Sequence, residues 1–162
     1  MTFQTGVQIG LAANQTWNVG AGNLVVDAHI FEAGGGSRLT KTGSGTLTLS
    51  GTNAYSGGTT FSGGTTSISS DFNLGFNPAS PTAGNLAFDG GTLTTTASFP
   101  LSSNRGISVL AGGGTISPAI STTLTYGGVI EGTGALVKTN GGTLILSGTN
   151  TNSGGISVNA GQ

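Results

Sequence analysis

Cysteine is absent from this 162-residue chain, which removes disulfides and thiolate metal sites. Charge is almost absent as well. Four Lys or Arg and five Asp or Glu leave a net charge of -1. Nucleic-acid binding needs several cations on one face to neutralise phosphates, and four scattered over the chain cannot supply it. No apolar run approaches the roughly 20 residues a membrane-spanning helix needs, so no membrane contact is expected within this segment. The opening Met1-Thr2-Phe3-Gln4-Thr5-Gly6 lacks a basic stretch and an apolar core, so it does not read as a signal peptide. A helix is the next thing missing. No eleven-residue window combines helical periodicity with freedom from Gly, and each interior Gly costs a helix about 1 kcal/mol relative to Ala.

What fills the chain instead is 32 Gly, 26 Thr, 18 Ser and 12 Asn, together more than half of all positions. Such a composition can mark a disordered coil, but disorder goes with high net charge and low hydrophobicity. Here the mean hydropathy is +0.16 and the apolar residues alternate in short runs. Leu47 and Leu49 alternate with Thr46 and Thr48; Leu144 and Leu146 flank Ile145; Ile107-Ser108-Val109 and Thr123-Leu124-Thr125 follow suit. Period-2 runs of three to six residues, separated by Gly-rich punctuation, predict many short half-buried strands.

The chain also repeats itself. Residues 39–64 align without a gap to 136–161, at an offset of 97, with 15 of 26 positions identical. Leu39, Lys41, Leu47, Leu49 and Asn53 correspond to Leu136, Lys138, Leu144, Leu146 and Asn150. Upstream the match continues at an offset of 99, where Thr16-Trp17 meets Thr115-Ile116 and Ile30-Phe31-Glu32 meets Val129-Ile130-Glu131. The whole chain, 1–162, therefore reads as one segment holding about one and a half copies of a module of roughly 98 residues. Strands this short cannot bury a face alone, whereas stacked coils bury a continuous apolar column. The expected fold is all-β: a single-stranded parallel β-helix of about seven coils. Leu47, Leu49, Phe61, Leu93, Leu124, Ile130, Leu136, Leu144, Leu146 and Val158 should point inward. An antiparallel sandwich would need more hairpin signals than Asp89-Gly90 and Asn140-Gly141 provide.

Leu39 to Phe61, with its Lys-Thr-Gly-Ser-Gly-Thr-Leu-Thr-Leu-Ser-Gly-Thr-Asn core, resembles the autotransporter-associated β-strand repeat, also called the passenger-associated transport repeat. Leu136 to Val158 is similar, except that Asn152 stands where the first copy has Tyr55. The resemblance implies a right-handed β-helix in a bacterial surface-displayed or secreted passenger. It implies a stalk or adhesin scaffold that aids passenger export and folding, and no enzyme. The family's membrane barrel and export signal are not found here, so an internal piece of a longer chain or a truncated relative is expected. The expected partners are neighbouring coils of that chain, or end-to-end copies of this one in an extracellular filament; a glycan ligand is left open.

Chemical readings compete weakly. No cofactor or metal is expected. Asp27, His29 and Glu32 could form a metal or acid–base site, but the equivalent stretch keeps only Glu131, so a polar surface patch is the better reading. Glu32 and Lys41, recurring as Glu131 and Lys138, suggest exposed ion pairs at coil corners. Asp71 and Asp89 are isolated in sequence, which argues against a polysaccharide-cleaving acid cluster. Thr46-x-Thr48, Thr92-x-Thr94 and Thr123-x-Thr125 raise ice binding, with Ile145 in place of Thr48 expected to break the ladder. Trp17 and Tyr55 are expected to pack rather than to stack on sugars.

Overall fold

The computed structural model describes residues 1–162. Every strand pairing in it is parallel. The first face is an eight-stranded sheet in chain order: Thr2–Phe3, Asn23–Val26, Thr46–Leu49, Thr65–Ile68, Thr92–Thr95, Gly114–Pro118, Leu136–Lys138 and Ile156–Val158. A second face stacks Gln15–Asn18, Leu39–Thr42, Thr59–Phe61, Thr82–Phe88, Arg105–Val109 and Ile130–Gly132. The third begins with Gln8–Leu11 on His29–Glu32 and ends with Phe99–Leu101, Thr123–Tyr126 and Thr143–Leu146. Between them lie the loop 51–55 and a 3-10 turn, Asp71–Leu74, joined to the stack by bonds such as Ala54 N–H to the Ile30 carbonyl and Asn53 N–H to the Phe72 carbonyl. The chain visits the first, third and second faces in turn and climbs one rung per circuit. This is a β-solenoid of about seven coils, roughly 34 Å long at ~4.8 Å per rung.

Alternation along each strand decides what enters the core. On the first face Leu24, Leu47, Thr66, Leu93, Ile116, Lys138 and Val158 stack in register. On the second the column runs Trp17, Lys41, Phe61, Phe88, Val109. Phe61 and Phe88 sit 4.8 Å apart between ring centres. Twenty-three buried residues form one continuous cluster along the axis. Of the residues expected inside, Leu144 and Leu146 are half-buried and Val158 is 60 % exposed. All three point down the columns but lie in the last coil, where no further rung covers them.

The two repeat copies lie on different faces. In the first, Leu39–Thr42 is on the second face and Thr46–Leu49 on the first. In the second, Leu136–Lys138 is on the first face and Thr143–Leu146 on the third. The upstream match obeys the same rule, since Trp17 is on the second face and Ile116 on the first. Moving from Leu39 to Leu136 therefore takes four coils and one face, and 97 residues over four and a third coils is about 22 per coil. Register steps along the first face agree: Thr2, Val25, Thr48, Ser67 and Thr94 follow one another at 23, 23, 19 and 27 residues. The repeat is thus the same structure turned by about a third of a revolution. This corrects the expected broken Thr ladder. Ile145 lies on the third face and Thr48 on the first, so one does not interrupt the other.

Candidate functional site

A solenoid of short parallel strands has one recurrent problem: corner carbonyls that no ladder satisfies. The repeat lysines meet it. Lys41 is fully buried, its stem stacked between Trp17 and Phe61. Its Nζ donates to the carbonyls of Thr42 and Gly43 at 2.9 Å in its own corner, and to Gly63 at 3.0 Å in the next coil. Lys138 does the same between Ile116 and Val158. It donates to Thr139 at 3.1 Å, Asn140 at 2.7 Å, Gly142 at 2.5 Å and, in the next coil, Ala160 at 2.7 Å. Burial pulls both ammonium groups below the usual lysine value. The exposed Glu–Lys pairs expected from sequence are not formed. The strand's inward alternation takes each lysine into the core, while Glu32 accepts bonds from Ser56 Oγ at 2.5 Å and Ser37 N–H at 2.6 Å, and Glu131 accepts from Ser108 Oγ at 2.9 Å. Partial burial pushes the Glu32 carboxyl up, but the bonds from Ser56, Ser37 and Gly36 outweigh it and leave the group below its ordinary value.

The repeat asparagines clamp in the opposite direction. Asn53 Oδ1 accepts the Ile30 N–H at 2.9 Å from the preceding coil, and its Nδ2 donates to the Asn73 carbonyl at 2.6 Å in the following one. Asn150 Oδ1 accepts the Ile130 N–H at 3.1 Å. Leu39, Leu47, Leu49 and Leu136 fill the columns between these clamps, each fully buried.

The largest polar element is marked by no spacing in the sequence. Arg105 is fully buried. Its Nε pairs with Asp71 Oδ1 at 2.7 Å, across 34 residues. The remaining guanidinium donors reach the carbonyls of Asp71, Leu74, Gly75 and Phe76 and the Asn85 Oδ1. Arg105 thereby holds the 3-10 turn that lengthens this coil to a 27-residue step. Asp71 is isolated in sequence, as expected, but not in space. Asp89 accepts the Gly112 N–H at 3.1 Å.

Asp27 accepts a bond from Ser50 Oγ, and His29 Nδ1 bonds the Thr52 carbonyl while its ring stacks on Phe31. No three His, Asp or Glu side chains are gathered closely enough to hold a metal ion. Tyr55 is fully buried and its hydroxyl meets Thr59 Oγ1 at 2.8 Å. Trp17 is half-buried at the first rung, where it borders an apolar hollow of about 390 Å³ with Phe3, Ile9, Asn18 and Leu24. A groove of about 460 Å³ runs past Gly106, Gly127, Gly128 and Glu131. A third hollow, of about 400 Å³, opens beside the 3-10 turn.

A stacked parallel coil whose cations are turned onto its own backbone, clamping one rung to the next, defines a repeat-built β-solenoid scaffold. Residues 39–68 and 136–162 match the passenger-associated-transport-repeat family. The chain thus carries two segments similar to the passenger-associated transport repeat. Over 60 residues it is 52% identical to the adhesin BmaC autotransporter of Brucella suis biovar 1 (strain 1330). That stretch covers 36% of this chain and 2% of the relative's length. No solved structure matches the chain.

Proposed function

We propose that the chain is a rigid, non-enzymatic segment of an autotransporter-type passenger. It serves as a stalk that carries adhesive surface and as a template on which successive coils fold outside the cell. One observation carries this reading: each repeat binds the backbone of its neighbouring coil through Lys41 and Asn53, and again through Lys138 and Asn150. An edge strand of a parallel coil offers unpaired N–H and C=O groups in register, so each finished rung presents the surface on which the next one nucleates. The clamps fix that register by closing the corners, where ladder bonds are missing. The near absence of charge and the lack of cysteine suit a chain that crosses a membrane unfolded.

The test is surface display on a Gram-negative host of a passenger carrying this segment. Replacing residues 39–68 by a Gly-Ser tract of equal length should lower displayed passenger severalfold and make the remainder protease-sensitive. Equal display with equal protease resistance would overturn the proposal.

A further inference from the structure

We propose that the lengthened coil carries a binding site for a neutral sugar, in the hollow bounded by Ser70, Asp71, Phe72, Asn77, Phe99 and Ser102. The inference rests on the adhesive-stalk reading above and adds a ligand class to it. Exposed aliphatic side chains such as Leu110 and Ile120 occur elsewhere on the solenoid, but its only exposed aromatic rings are here: Phe72 and Phe76, on and just after the 3-10 turn, are 56 % and 60 % exposed. The turn cannot simply give way to bury them, because Arg105 binds four of its carbonyls and the Asp71 carboxylate from within. The aromatic faces are therefore presented on a fixed support, as a preorganised site requires.

The polar groups at the hollow select the ligand. Asn77 Oδ1 is buried and accepts no hydrogen bond from the protein. Asp71 commits Oδ1 to Arg105, and its charge is neutralised by that same contact, so the hollow does not call for a cation. Ser70 and Ser102 each accept one backbone N–H and keep a hydroxyl proton to donate. A ligand that fits must offer O–H donors to the Asn77 and Asp71 oxygens, acceptors to the two serines, and an apolar C–H face to Phe72. A pyranose ring has all three, and about 400 Å³ accommodates one or two rings but no helix or strand.

The test uses the whole chain with methyl glycosides of glucose, galactose and mannose and with N-acetylglucosamine as probes. Saturation-transfer NMR should report binding of at least one of them, with amide shifts confined to residues 70–77 and 99–102. Phe72→Ala should weaken that binding at least tenfold, Asn77→Ala severalfold, and Phe72→Tyr should retain it; Phe72 is exposed, so the fold should survive, and an unchanged melting curve verifies this. No transfer from any probe overturns the proposal, as does binding that Phe72→Ala leaves intact. Loss of cell attachment on Phe72→Ala without sugar binding also overturns it, by assigning the hollow to a protein partner. These outcomes leave display and protease resistance unchanged, so failure here is distinct from failure of the stalk reading.

Discussion

The first repeat, 39–68, lies between finished coils; the second, 136–162, closes the last one. Nearly the same residues thus occupy two environments that differ by one rung of cover. Gly57 and Gly154, equivalent across the copies, both press on the preceding coil. A Cβ on the first would lie 2.3 Å from the Gly36 carbonyl oxygen, and on the second 2.2 Å from the Gly134 carbonyl carbon. Their neighbours Gly58 and Gly155 face the other way. A Cβ on Gly58 would stand 1.9 Å from the Asn85 carbonyl oxygen in the following coil, whereas one on Gly155 would meet nothing within 4 Å. The motif is therefore written for two neighbours, and its C-terminal copy uses one of them here. What the repeat conserves within this chain is a pattern of contacts across rungs, not a self-contained unit.

The largest expected effect breaks this comparison directly. Gly58→Ala should destabilise the chain by about 3 kcal/mol or more, since the stacked backbones must separate and the residue is held at φ +81°. Gly155→Ala, at φ +76° but with open space, should cost only about 1 kcal/mol. Gly57→Ala should be severe; Gly154→Ala meets an equal clash, but in the terminal rung, which opens before the rest unfolds, so its effect on the midpoint should be smaller. Chemical denaturation midpoints of the four variants decide it; equal losses for Gly58→Ala and Gly155→Ala would refute the asymmetry.

The lysine clamps sharpen the same contrast at smaller scale. Lys41→Met keeps the buried stem but leaves the carbonyls of Thr42, Gly43 and Gly63 without their donor. Each orphaned acceptor costs about 1–3 kcal/mol, partly offset by no longer desolvating an ammonium group. A net loss of about 2 kcal/mol is expected from the denaturation midpoint. Lys138→Met breaks four such bonds, yet its only C-terminal cover is the terminal rung, which opens locally before the rest unfolds. Its effect on the global midpoint should be below about 1 kcal/mol, with hydrogen exchange at 156–160 accelerated instead.

Much of this was legible in the sequence because a solenoid is a local code. Alternating Leu and Thr specify which side of each rung is dry, and the 97-residue self-match marks stacked coils. What stayed illegible depends on which face a rung occupies. Reading Ile145 as a break in a Thr48 ladder requires both residues on one face, and a match of four and a third coils puts them on different ones. Reading Lys41 as exposed follows its charge rather than its place in the Leu39-x-Lys41 alternation, which already marked it as inward. The Arg105–Asp71 pair leaves no trace at all, since it joins two lone charges 34 residues apart through a coil of unusual length.

Tyr55 gives the smallest and most selective test, because the second copy has Asn152 in its place. Burial pushes the Tyr55 phenol up to about 12, against an ordinary value near 10. Its folded-state value is raised, so its stability contribution is fully present below pH 10 and is lost as pH climbs towards 12. Tyr126, also raised to about 12 by burial, adds a second alkaline loss that any Tyr55 variant keeps. Tyr55→Phe leaves the Thr59 hydroxyl without its partner and should cost about 1 kcal/mol at pH 7. Above pH 11 the ranking should invert, since Phe has no proton to lose and the wild-type must bury a phenolate or unfold. Thermal melts from pH 7 to 12 would show two curves that cross; curves that stay parallel would mean the phenol titrates in contact with water and the first repeat's corner is open.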